Sequence, residues 1–324
     1  MSRRREARAR RHREVPAVDL TTRIGSVTLP NPVMTASGTA GHGAELGPYL
    51  DLAELGAVVV KSLAPYPWPG NPAPRLHPTR AGLLNAVGLQ GPGLEAWLLD
   101  DLPGLLRTGA RVVASIWGRT VEEFGEAADL LADAPTSVVA VEVNLSCPNL
   151  EDGRHMFAHS PAASRAVMEA TAGCRRPRWA KLSPNTADLP EMAAAARDGG
   201  ADAVTLVNTL LGLALDPDTG RPELGHGGGG LSGPAMHPVA VRAVYEVRTA
   251  LPELPVVGVG GVSSGRDAAE LLMAGADAVQ VGTATFADPR APALVLEELE
   301  AWAESRGVAR IADVVGVAHR GGLG

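Results

Sequence analysis

Ala274-Gly-Ala-Asp-Ala-Val279 closes an Ala/Leu-rich helical run with glycine and enters a β-branched strand at once. The pattern returns at Gly199-Gly-Ala-Asp-Ala-Val204 and, more loosely, at Leu55-Gly-Ala-Val-Val-Val60. Glycine supplies a left-handed helix exit, so each copy reads as a helix handing over directly to a strand. Working outward, short β-branched runs recur between helix-like stretches: Pro32-Val-Met-Thr-Ala-Ser37, Ala57-Val-Val-Val-Lys61, Arg111-Val-Val-Ala-Ser-Ile116 and Val138-Val-Ala-Val-Glu-Val-Asn144. Four more follow: Arg178-Trp-Ala-Lys-Leu182, Ala203-Val-Thr-Leu-Val-Asn208, Pro255-Val-Val-Gly-Val-Gly260 and Ala278-Val-Gln-Val-Gly282. Such runs are too short for helices and suit parallel strands buried on both faces. Eight strand–helix units predict an α/β fold of the (β/α)8 TIM-barrel type. The alternative, a doubly wound open sheet, would usually carry a G-x-G-x-x-G fingerprint after its first strand, and none stands there.

The 324 residues suffice for one large α/β core. Aromatics make up only 3 % while Ala, Gly and Val abound, a bias that suits close helix–strand contacts. A net charge of −7, with no basic face beyond the N-terminus, argues against nucleic acid as a partner. No apolar run approaches the roughly 18 residues that span a bilayer. The basic opening Met1-Ser-Arg-Arg-Arg-Glu-Ala-Arg-Ala-Arg-Arg-His12 has no apolar stretch after it, so it does not read as a secretory signal. Residues 1–17 are expected to be a disordered Arg-rich extension, and 18–324 the single barrel domain. The two cysteines, Cys147 and Cys174, can supply neither a four-thiolate cluster nor a disulfide framework. A reducing cytoplasmic setting is expected.

Barrel chemistry belongs on the loops after strand C-termini. Ser37, Lys61, Ser115, Asn144, Lys181, Asn208, Gly260 and Gly282 all fall there. Two Pro/Gly-rich inserts, 65–93 and 210–233, break the pattern on the same rim and are expected to act as lids or substrate walls. Gly258-Val-Gly-Gly261-Val-Ser-Ser-Gly265 and Gly282-Thr283 end the last two strands, where side-chain-free turns and a helix beginning near Arg266 suit a phosphate. Lys61 and Lys181 lie in apolar strands, where an ammonium is costly unless an anion pairs with it. Each could stabilise negative charge on a flavin ring or substrate, or form a Schiff base. Asn85, Asn144, Asn149 and Asn208 offer donors and acceptors that complement a cyclic imide or pyrimidine edge. In Asn144-Leu-Ser-Cys147-Pro-Asn149 the thiol, ordinarily near ~8.5, is a candidate base. His155 and His159 leave a thiol–imidazole hydrolase open. Cys174, Trp117 and Trp179 are expected in the core, and His226 and His237 in loops without metal-ligand spacing.

These residues resemble the dihydroorotate dehydrogenases, and among them the class 1B catalytic subunits, over nearly everything from Val18 to His319. The motifs are Ala36-Ser37-Gly38-Thr39, Val60-Lys61-Ser62, Asn85-Ala-Val-Gly88-Leu89-Gln90, Asn144-Leu-Ser-Cys147-Pro-Asn149, Lys181-Leu-Ser-Pro-Asn185, Asn208-Thr209, Leu231-Ser-Gly233-Pro, Gly260-Gly261 and Gly282-Thr283. The resemblance implies a barrel holding FMN at its strand C-termini and oxidising dihydroorotate to orotate in pyrimidine (UMP) biosynthesis. Cys147 would take the C5 proton while the C6 hydride passes to FMN. Asn85, Asn144, Asn149, Asn208 and Thr209 would bind the pyrimidine edge, beside Lys61 and the backbone of Ala86, Val87, Gly88 and Leu89. Ser37, Lys61, Ser62, Ser115, Asn144, Lys181 and Val207 would hold FMN, with Gly233, Gly260, Gly261, Gly282 and Thr283 near its phosphate.

Within the resemblance, cysteine rather than serine at the base position and the lack of an apolar helical N-terminal extension separate the chain from membrane-linked class 2. Gln90 after Gly-Leu resembles class 1B rather than the fumarate-using class 1A. That class implies a homodimer within a heterotetramer, whose iron–sulfur flavoprotein partner carries FAD and a 2Fe–2S cluster and passes electrons to NAD. Gly91, Ser115 and His237 depart from the family pattern. The alternatives are a flavin-dependent dihydropyrimidine dehydrogenase, a Schiff-base aldolase and a non-catalytic phosphate-ligand barrel.

Overall fold

The computed structural model of the chain describes residues 17–146 and 156–323. An antiparallel hairpin of β1 (Thr22–Ile24) and β2 (Val27–Leu29) comes first, turned at Gly25. Next are β3 (Val33–Thr35) and β4 (Val58–Val59), then β5 (Leu76–Thr79) and β6 (Gly82–Asn85) within the first insert. The chain continues through β7 (Val112–Ile116), β8 (Val138–Asn144), β9 (Arg178–Lys181) and β10 (Ala203–Leu206). The second insert holds β11 (Leu210–Gly212) and β12 (Gly229–Ser232), before β13 (Val256–Val259) and β14 (Ala278–Val281). Eight of these strands, one within each of the eight runs named above, form a sheet ordered β3-β14-β13-β10-β9-β8-β7-β4. A parallel bridge between Met34 and Ala57 returns β4 to β3 and closes the ring. The expected barrel is the fold.

The outer helices include α1 (Val121–Asp129), α2 (Pro161–Ala170), α3 (Leu189–Asp198), α4 (His237–Ala250), α5 (Gly265–Ala274), α6 (Ala284–Ala287) and α7 (Ala291–Ser305). Thr120, Ser160, Asp188 and Ser264 cap α1, α2, α3 and α5, each side chain accepting a backbone N–H three residues on. Gly275 (φ 119°) ends α5 in the left-handed region, and Gly200 (φ 96°) does so just after α3. The third copy of the pattern departs from expectation, because 36–57 runs through turns rather than a helix. Gly41, Gly43, Gly47 and Pro48 interrupt any helical period there. A Cβ on Gly56 would stand 2.5 Å from Asn31 O, so that glycine serves close backbone approach, not a helix exit.

The hairpin plugs the N-terminal end, where Ile24, Val27 and Leu29 pack with Met34, Val59, Val113, Trp179 and Val257. One inward-facing step along the strands, the interior turns polar: Ser115, Glu142, Thr205 and Gln280 are all fully buried. Above them the C-terminal mouth opens. The inserts do more than wall it, for they pair into a four-stranded antiparallel sheet, β11-β12-β6-β5, on the rim. No helix among the described residues is long and apolar enough to cross a membrane. Residues 1–16 of the expected extension lie outside the described residues.

Candidate active site

A cleft of about 290 Å³ opens at the C-terminal ends of the strands. Ser37, Lys61, Ser62, Asn144, Lys181 and Val207 line it together with Asn85, Val87, Gly88, Leu89, Asn208 and Thr209. At its other end stand Gly233, Gly260, Gly261, Gly282 and Thr283. Two predicted residues stay off the lining. Ser115 is fully buried and reaches the cleft only through Ser62, their hydroxyls 2.9 Å apart. Ala86 packs with Leu84 and Leu224, and its N–H already donates to Arg75 O at 2.8 Å within the rim. Cys147, Asn149 and His155 lie outside the described residues.

The polar side chains are tied into one network. Ser62 Oγ stands 3.1 Å from Ser37 Oγ and accepts from Asn144 Nδ2 at 3.4 Å. Asn144 Oδ1 accepts from Asn208 Nδ2 at 3.2 Å and from Ser146 N at 3.2 Å, which turns the chain just before Cys147. Asn208 Oδ1 takes the N–H of Thr209 at 2.8 Å, while Asn185 bonds Thr209 O and Leu211 N and so fixes the start of the second insert. Asn85 donates to Gly230 O at 3.2 Å, stitching the two inserts across the rim sheet. A network of this kind holds each carboxamide in one orientation.

The 88–91 segment is clamped from outside. Trp68 Nε1 donates to Gly88 O at 3.0 Å, and Trp68 and Gly91 exchange both backbone hydrogen bonds. Arg119 lies over the Tyr66 and Trp68 rings and donates to the Tyr66 hydroxyl, which donates to Glu123 at 2.6 Å. Burial and the Glu123 carboxylate drive the Tyr66 phenol well above its ordinary range. Gln90 accepts from Arg75 and so braces the first insert. Trp117 and Trp179 are core, as expected, and Cys174 is a buried free thiol. Burial pushes the His42 imidazole down, and nearby Lys61 adds to that against the pull of Asp101.

At the glycine end, the expected helix N-terminus is already occupied. The N–H of Gly265 donates to Glu298 at 2.8 Å, and the Ser264 hydroxyl accepts from Asp267 N. Burial would raise Asp267, but bonds from Ser263 and Ser264 hold its carboxyl below the usual range, so an anion stands there. The donors left for a phosphate are in the turns. Backbone N–H groups of Gly261, Gly282 and Thr283 meet no acceptor among the described residues. Gly261 (φ 70°) also lets α4 approach, since a Cβ there would stand 2.7 Å from that of His237. His237 is not in a loop, as the sequence suggested, but opens α4, with its ring 3.0 Å from Gly260 O and 3.1 Å from Glu270. No cluster of three or more metal-ligating side chains exists among the described residues.

Two residues that sequence reasoning missed sit beneath the cleft. Lys181 donates to Glu142 at 3.3 Å, and Gln280 donates to the other carboxylate oxygen at 2.7 Å. The buried lysine's counter-charge therefore comes from the neighbouring strand. The available signal was Glu142 itself, a lone acid in the run Val138–Asn144.

A family profile described as dihydroorotate dehydrogenase matches residues 19–302. The chain is 49 % identical over 300 residues to the dihydroorotate dehydrogenase B (NAD(+)) catalytic subunit of Desulforudis audaxviator, covering 92 % of this chain and 97 % of that protein. It is 46 % identical over 302 residues to the protein of that name from Pelobacter propionicus, covering 92 % and 98 %. A third, from Geobacter sulfurreducens, is 45 % identical over 302 residues, covering 92 % and 97 %.

Proposed function

The chain belongs to the dihydroorotate dehydrogenase family, and from that premise we propose that it oxidises dihydroorotate to orotate in pyrimidine biosynthesis. The observation that carries the reading is the convergence of Ser62, Asn144, Lys181 and Asn208 on one cleft whose far end offers open backbone donors. The family implies a flavin, which we take to be FMN. The residues present fit it. A buried ammonium and a hydroxyl–carboxamide network suit the ring, and the Gly261, Gly282 and Thr283 amides suit a phosphate. Bound there, FMN would supply the hydride acceptor.

The chain's own residues do the rest. Asn85, Asn144, Asn149, Asn208 and Thr209 orient the pyrimidine edge, beside Lys61 and the backbone of 87–89. Cys147 takes the proton from C5; just before it in the chain, Ser146 N donates to Asn144 Oδ1. Ser37, Ser62, Lys181 and Val207 seat the flavin ring, Ser115 acting through Ser62. A Schiff-base reading asks for a neutral lysine, whereas Lys181 faces a carboxylate. The relatives named above are dihydroorotate rather than dihydropyrimidine dehydrogenases, which favours the first of the two flavin readings.

Those relatives are named catalytic subunits, which implies a partner subunit. For this chain we assign that partner the FAD and the 2Fe–2S cluster, in a heterotetramer built on a homodimer in the cytoplasm. The described residues hold one free cysteine, and the whole chain has only two. Under anaerobic conditions dihydroorotate should bleach the flavin of the isolated chain, and NAD added afterwards should yield no NADH until the partner is supplied. Prompt NADH formation by the chain alone would contradict the division of labour. No bleaching at all would contradict the substrate.

A further inference from the structure

Beneath the cleft floor two side chains that the proposed reaction does not call on, Glu142 and Gln280, meet Lys181 from a third strand. Glu142 is 0 % exposed, its two oxygens taken by Lys181 at 3.3 Å and Gln280 at 2.7 Å. Lys181 lines the cleft, whereas Glu142 and Gln280 do not. In register, Lys181 stands beside Asn144, one inward-facing step above Glu142, so its chain reaches back down the barrel to the carboxylate. A carboxylate carried this deep costs several kcal/mol unless an ammonium and further donors satisfy it. Apolar residues would fill the same space without that cost, as they do one layer below.

What the acid adds is a negative charge directly under the cleft floor. An ammonium alone at that floor would stabilise added electron density above it, because charges act strongly where water is excluded. A carboxylate 3.3 Å from the ammonium offsets that field and confines the ammonium to one place. We propose that Glu142, fixed by Gln280, is a positioning residue that anchors Lys181 and partly offsets its charge. It thereby holds the reduction potential of the bound flavin below the value Lys181 alone would impose. This inference rests on the flavin reading of the cleft. Its use is onward transfer: a flavin whose reduced form is too well stabilised would keep its electrons from a weak oxidant such as NAD.

Two variants move the potential in opposite directions. Glu142→Gln keeps the shape and removes the negative charge, so the potential should rise. The expected size is at least tenfold in the reduced-to-oxidised ratio at a fixed potential, or about 30 mV for a two-electron couple. Gln280→Met removes the donor that partly neutralises the carboxylate, so the potential should fall by a smaller amount. The measurement is equilibrium redox titration of the flavin-loaded chain against a reference dye, read from the flavin spectrum and independent of turnover. Should Glu142→Gln fail to fold, the fall in Gln280→Met decides alone. Unchanged potentials, or shifts of the same sign in both variants, overturn the proposal, since a merely structural layer would give one or the other. If the unaltered chain binds no flavin, the reading of the cleft fails first and this inference with it.

Discussion

Cys147→Ser should slow reduction of the bound flavin by dihydroorotate about 10²–10⁴-fold at neutral pH, the usual worth of a general base. Flavin affinity should not change. Serine keeps the size of the side chain, but its hydroxyl is a far weaker acid than a thiol and is rarely present as the active base. Asn144, the last residue of β8, and Ser146, bonded to it through its backbone N–H, lead directly into this position in the sequence. Stopped-flow mixing with dihydroorotate checks the prediction, and the cysteine enzyme's rate should rise with pH as the thiol ionises. A serine variant reduced at the original rate would remove Cys147 from the mechanism.

Lys181→Ala should destabilise the fold itself by about 3–5 kcal/mol, the typical cost of stripping one partner from a buried ion pair. The reason is Glu142, which would remain fully buried with Gln280 as its remaining donor. Replacing both, as Lys181→Met with Glu142→Gln, removes the two charges together and should recover most of the loss. Urea unfolding of the flavin-free variants separates this from any effect on flavin binding. A single variant as stable as the parent, or a double variant no better than the single, would show that the pair carries no such burden.

The barrel was legible because its signals are local. Eight apolar runs and the glycine exits near Gly200 and Gly275 each state their role within a few residues. The 36–57 crossover misled because Ala53, Leu55 and Gly56 imitate a helix ending, while the decisive contact, Gly56 against Asn31 O, is with chain 25 residues away. The rim sheet was hidden for the same reason: β6 and β12 pair across more than a hundred residues, and neither insert shows its partner's register. At the site, position after a strand sufficed to bring Lys61, Asn144, Lys181 and Asn208 to one cleft. Single-sequence reasoning required a counter-charge for Lys181 but could not say which strand supplies it. The helix N-terminus offered to the phosphate was also plausible until Glu298, from α7, was seen to take its first N–H.

Whether the cleft at the strand C-termini is a flavin site is read from the visible spectrum of the purified chain. After incubation with FMN and removal of the unbound excess, flavin absorption should stay with the protein in stoichiometric amount. Replacing Lys181 and Glu142 together should weaken its retention, because the ring loses the ammonium at the cleft floor. A folded chain that remains colourless after the same treatment has no flavin site in this cleft.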